Sequence, residues 1–195
     1  MNTWLQILKL AHILGFVFMS TPLFNLILVN ERAALKAPQA YLPLRYMENI
    51  IGRNAKRCYV FQFTVLISGL GLILYTGPGL KLIFTEWVIG LKTLILFLMM
   101  GLLSYVHFGI QPKIENLLAE VNSDSVPEEI LTKLKPLQGR RKKLASFCLF
   151  LVLVAIILGV QVYSHFPISI TFILIALSAL FTWRAFKSLM SYGWI

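Results

Sequence analysis

Apolar residues in this chain are gathered into five long blocks separated by short polar stretches. The first block covers 4–29 and stops at Asn30-Glu31-Arg32. The second covers 59–76, preceded by Lys56-Arg57 and closed by Gly77-Pro78-Gly79. A third, 87–110, ends at Gln111-Pro112-Lys113, and a fourth, 144–163, follows Arg140-Arg141-Lys142-Lys143. The fifth, 168–186, is separated from the fourth only by Ser164-His165-Phe166-Pro167. Each block is close to the ~20 residues that cross a bilayer as a helix. Pro167 removes a backbone donor and clashes with the preceding turn, so the last two blocks read as a tight hairpin of two helices. The pattern predicts an all-α integral membrane protein, one domain of five transmembrane helices built as a four-helix core plus one. The first block is too long for the apolar part of a signal peptide and no small-residue cleavage site follows it, so it is expected to stay as a membrane helix.

Between the blocks, segment 111–143 has an amphipathic pattern. Ile114, Leu117, Leu118 and Val121 recur at helical spacing until Asn122-Ser123-Asp124 interrupts them. Ser125 then stands as the cap of a second short helix, with Glu128 and Glu129 near its positive end. Segment 30–58 reads as a connecting loop.

Composition agrees with the pattern: 58% of the 195 residues are hydrophobic and 13% charged, where a soluble domain has about 25% charged. Mean hydropathy is +0.78. The net charge of +10 could suggest a nucleic-acid partner. The basic residues, however, collect in two loops on one side of the bundle, as the positive-inside rule produces. Arg32, Lys36, Arg45, Arg53, Lys56 and Arg57 lie in 30–58, and Lys113, Lys133, Lys135 and the 140–143 cluster lie in 111–143. The expected topology is N-terminus outside and C-terminus cytoplasmic, in a cell inner (plasma) membrane. Anionic headgroups, not nucleic acid, are the partner this charge implies.

Familiar enzyme signatures are missing from the sequence: there is no glycine-rich phosphate loop, no Gly-x-Ser-x-Gly and no His-Glu-x-x-His. Cys58 and Cys148 have no Cys-x-x-Cys spacing, and both fall near the reducing side. The informative residues are ionisable ones inside the blocks, which normally face a bundle interior or cavity. His12 lies eight residues inside Trp4, about 12 Å at the helical rise, and Lys92 five residues inside Trp87, about 8 Å. Both distances are counted from the same side, so the two side chains can meet at one depth. Neither is an acid, so they form no salt bridge. They can share an anion or coordinate a metal, haem iron included. The alternative is structural: Lys92 snorkels to the headgroups and His12 makes an interhelical hydrogen bond. Ser68 falls near the same level, with Gly69 and Gly71 allowing close approach of a helix or a flat cofactor. His107 is fifteen residues beyond Lys92, about 22 Å along the helix, and cannot ligate the same iron. With Asn25 and Gln62 it marks a polar cluster at the far end, structural or a second cofactor or proton site. His165 sits in the hairpin.

Leu10-Ala11-His12-Ile13-Leu14-Gly15 resembles the first-helix motif of HemJ-type protoporphyrinogen oxidases and copper-resistance CopD-like proteins. Trp87 through Lys92-Thr93-Leu94-Ile95-Leu96 is similar to that group's third helix, and Ser104-Tyr105-Val106-His107-Phe108-Gly109 resembles the stretch that ends it. The resemblance covers roughly residues 5–115. It implies haem b held by His12 and Lys92 as axial ligands, hence redox chemistry or electron transfer. Partners to expect are the bilayer, a porphyrin or quinone, and subunits of a membrane complex or a second copy. The HemJ branch has a tryptophan seven residues after its histidine, where this chain has Met19, and its small-Gly turn is Thr21-Pro22 here. A Pro-Arg pair and second histidine of that branch are absent from 24–31. The oxidase activity, and a non-catalytic or copper-handling membrane subunit, for which Met19 lies two turns below His12, are the alternatives.

Overall fold

The computed structural model describes residues 3–30, 39–76, 79–164 and 167–187. His165 and Phe166 of the hairpin, Gly77-Pro78, and the loop cations Arg32 and Lys36 lie outside the described residues. The chain is an all-α integral membrane protein. Its helices are α1 (Thr3–Asn30), α2 (Tyr41–Thr76), the one-turn α3 (Leu82–Thr85), α4 (Trp87–Ser104), α5 (Gln111–Ala119), α6 (Glu128–Ser164) and α7 (Ile168–Lys187). Five helical segments among the described residues are long and apolar enough to cross a membrane: α1, α2, α4 with α5, α6 and α7.

Three segments differ from the sequence reading. α2 starts at Tyr41, so much of 30–58 is helix, not loop. Pro43 sits in the first turn, where the missing donor costs no intrahelical bond, and Gly52, the weakest other helix former before the apolar block, is tolerated in the interior. Leu44, Ile51, Ala55 and Cys58 form a buried stripe that gives this charged extension something to pack. Similarly, α6 runs unbroken from Glu128 into its apolar block, carrying Pro136 inside it. The acids Glu128 and Glu129 do occupy its first turn.

The third span does not stop at Gln111-Pro112. α4 passes through a π-helical turn, Tyr105–Ile110, directly into α5. The Gln111 N–H reaches the Val106 carbonyl five residues back, and Pro112 falls in the first turn of α5. The wider turn absorbs the proline without ending the helix.

α6 is the central element. Half (50%) of its most apolar stretch is buried, against 11% for α7, which packs along α6 at the edge. The main core joins Phe16, Met19, Leu23 and Ile27 of α1 to Ile95, Leu96 and Met99 of α4 and to 145–158 of α6. A second core closes the basic end of the bundle, where Leu44 of α2, Ile114 and Leu118 of α5, and Leu131 and Leu134 of α6 surround Val121 and Val126. The 120–127 connection is pinned there: Tyr41 N–H donates to Asp124 O at 2.9 Å and Val126 N–H to Gln39 O at 2.9 Å. Cys58 and Cys148 are buried free thiols.

α1 and α2 approach closely at Gly15. A Cβ there would stand 2.7 Å from Val65 Cγ2 and 3.5 Å from the Phe61 carbonyl oxygen. Only glycine lets the two backbones come this near, and the consequence is felt one turn away at His12.

Candidate functional site

His12 reaches across to α2. Its Nδ1 lies 3.0 Å from the Val65 carbonyl oxygen and 3.1 Å from Ser68 Oγ. A carbonyl only accepts, so Nδ1 carries the proton and donates. The Ser68 hydroxyl spends its own hydrogen on the Thr64 carbonyl at 2.5 Å, leaving a lone pair for the imidazole. The tautomer is therefore set by the backbone, and Nε2 of the neutral ring is left with its lone pair. No described residue donates to it. Gly69 makes the approach possible, because a Cβ at that position would sit 3.0 Å from His12 Cε1.

Lys92 of α4 comes to the same place from another side. Its Nζ stands 6.0 Å from the centre of the Phe16 ring, and the His12 ring meets Phe16 edge-on with centroids 5.3 Å apart. The amine also rests on α6, where a Cβ on Gly159 would lie 3.1 Å from it. Among the described residues Lys92 makes no hydrogen bond and no ion pair. The structure thus sets His12 against Ser68 and Gly69, places His12 and Lys92 both at Phe16, and leaves two of their nitrogens without a partner among the described residues.

His107 is elsewhere, on the π-helical turn. Its ring packs edge-on to Tyr59 and Phe108, and its buried Nδ1 has no hydrogen-bond partner among the described residues. It borders a cavity of about 20 Å³ with Asn54, Cys58 and Gln111, room for one bridging water. Gln62 is buried with its Oε1 unpaired, whereas Asn25 faces outward on α1 and does not join a polar cluster. Met19 is wholly buried in the main core. No three His, Cys, Asp or Glu side chains converge among the described residues.

The strongest polar arrangement in the molecule is one that the sequence reading passed over. Arg141, counted there as one of a solvated basic cluster, is 0% exposed and paired with Glu48, which is 1% exposed. Arg141 Nη1 donates to Glu48 Oε2 at 2.7 Å and to Gln111 Oε1 at 2.6 Å. Nη2 donates to Glu48 Oε1 at 2.9 Å and Asn30 Oδ1 at 2.7 Å, while Nε donates to Asn30 Oδ1 at 3.1 Å. All five guanidinium N–H groups are used. Gln111 and Gln138 each donate a longer bond to Glu48, both at 3.4 Å. The network ties α1, α2, α5 and α6 at the basic end.

Helical register was the available signal. Glu48 stands in the stripe Leu44–Ile51–Ala55, and Arg141 in the stripe Leu134–Ala145–Cys148, so a polar residue on each apolar face points inward. Compared with family models, with curated proteins and with solved structures, the chain matches none.

Proposed function

We propose that this chain is a membrane haem-b-binding protein serving electron transfer or redox chemistry, in which His12 and Lys92 would hold the iron. The observation that carries the reading is the pinned imidazole: Nδ1 is fixed on the Val65 carbonyl, Nε2 keeps its lone pair, and the Lys92 amine borders the same Phe16 ring. An outer hydrogen bond of this kind is how protein-bound metal ligands are oriented. The motif resemblance around His12 and Lys92 to HemJ- and CopD-like proteins points to the same two residues.

The donor set fits a haem iron, since both ligands are neutral when bound and no acid competes for either. When bound, the iron would supply one-electron redox chemistry. The chain's own residues do the rest. Val65 and Ser68 hold the imidazole, Gly69 and Gly159 let the two donors in, and the apolar surround keeps water away and favours the less charged ferrous state. Phe16, which both donors touch, is the side chain a macrocycle would stack on or displace. The basic end would face the cytoplasm and the His12–Lys92 level the outer half of an inner membrane.

The test is ligand replacement. His12→Ala and Lys92→Met, purified beside the wild type after expression with added haem precursor, are expected to retain far less haem per protein at unchanged helicity. Equal haem content in His12→Ala would remove it as a ligand.

A further inference from the structure

At the basic end, on the outside of the bundle, a cleft of about 290 Å³ opens between α6 and the π-helical turn with α5. We infer that this cleft is a binding site for one anionic phospholipid, with the phosphate between Lys113 and Arg140 and an acyl chain along Tyr105 and Phe108.

Four features of the cleft carry the assignment. Its lining includes two cations, Lys113 and Arg140, and no acid. Both cations are exposed, and neither makes a hydrogen bond or ion pair to any described residue. Arg140 instead leans over Tyr105, with the guanidinium carbon 5.4 Å from the ring centre. A cation held over an aromatic face, with its N–H groups unspent, is presented for an anion.

The second feature is position. The apolar blocks of α4 and α6 end and begin at 110 and 144, so Lys113 and Arg140 stand just beyond the hydrocarbon while Tyr105 and Phe108 stand inside it. Phe108 is 72% exposed and Tyr105 43%, giving the apolar wall that a free phosphate would not use.

Third is the local backbone. The π-helical turn rotates the register between α4 and α5, and Gly109 in it has no side chain to fill the cleft floor. Asn116, the fourth, adds a neutral polar group to the lining, suited to a glycerol or headgroup hydroxyl. Basic clefts between membrane helices are known binding places for anionic headgroups.

The experiment is native mass spectrometry of the full-length, delipidated protein offered phosphatidylglycerol, phosphatidylcholine or inorganic phosphate. One phosphatidylglycerol adduct is expected to be retained about tenfold better than phosphatidylcholine. Lys113→Gln with Arg140→Gln should abolish that preference. Asn116→Trp should weaken the adduct too, by adding bulk to the cleft lining without changing charge. A control, Lys133→Gln with Lys135→Gln, removes two exposed positive charges from α6 outside the cleft lining and should leave the adduct in place. The inference is overturned if the control weakens the adduct as much as the cleft pair, or if Asn116→Trp leaves it intact. Equal retention of inorganic phosphate alone would also overturn it, by making the site one for a free anion.

Discussion

Two polar sites lie at different levels of one apolar bundle, and they are built in opposite ways. At the basic end Arg141 spends all five N–H groups on Glu48, Asn30 and Gln111. Around Phe16, His12 spends one nitrogen and keeps the other, and Lys92 spends none of its donors on a described residue. A charge taken from water is tolerated when its partners are complete, and removing one partner then costs more than the pair contributes. Incomplete partners leave donor and acceptor capacity that a ligand can use. The first site is a clamp holding four helices; the second has the makings of a ligand site.

The comparison breaks most sharply at Glu48. Glu48→Ala leaves the Arg141 guanidinium buried beside lost acceptors and is expected to destabilise the protein by about 3–5 kcal/mol in a reversible detergent unfolding titration. Replacing both members, Glu48→Leu with Arg141→Met, should recover most of that loss, because no charge is then stranded. A Glu48→Ala protein as stable as the wild type would end the clamp interpretation.

A smaller effect is expected at Gly69. Gly69→Ala places a methyl group 3.0 Å from His12 Cε1, which must turn the imidazole away from Val65. Haem affinity, read by titration of the Soret band, should fall about tenfold while unfolding is little changed. If affinity holds, the imidazole is not oriented by α2.

The smallest effect sharpens the contrast. His12→Ala removes a single half-buried hydrogen-bonding arrangement and should cost only about 1 kcal/mol of stability in the same unfolding titration. A loss as large as that at Glu48 would make His12 a structural residue.

Much of this was legible in the sequence, and the reason is the bilayer. Continuous apolar runs give the five spans directly, because each must satisfy its backbone internally. The depth of His12 and Lys92 followed from simple rise along two helices, and the structure sets both on Phe16. What was hidden lay in the polar segments. A hydropathy window averages Leu44, Glu48 and Ile51 with their charged neighbours and reports a loop, although one face of that segment is buried. Arg141 looks the same in composition as the exposed Arg140 and Lys143 beside it; only its place on the α6 stripe separates them. The π-helical turn has no sequence mark except the proline that follows it, and Pro112 reads equally well as a stop.

The central claim is that the unfinished pair at Phe16 is a haem site. The direct measurement is an absorbance spectrum of the purified wild-type protein, air-oxidised and then dithionite-reduced, after haem has been offered. The account predicts a Soret band that shifts on reduction, with sharp α and β bands in the reduced protein. Folded protein with no absorbance beyond that of free haem would contradict it.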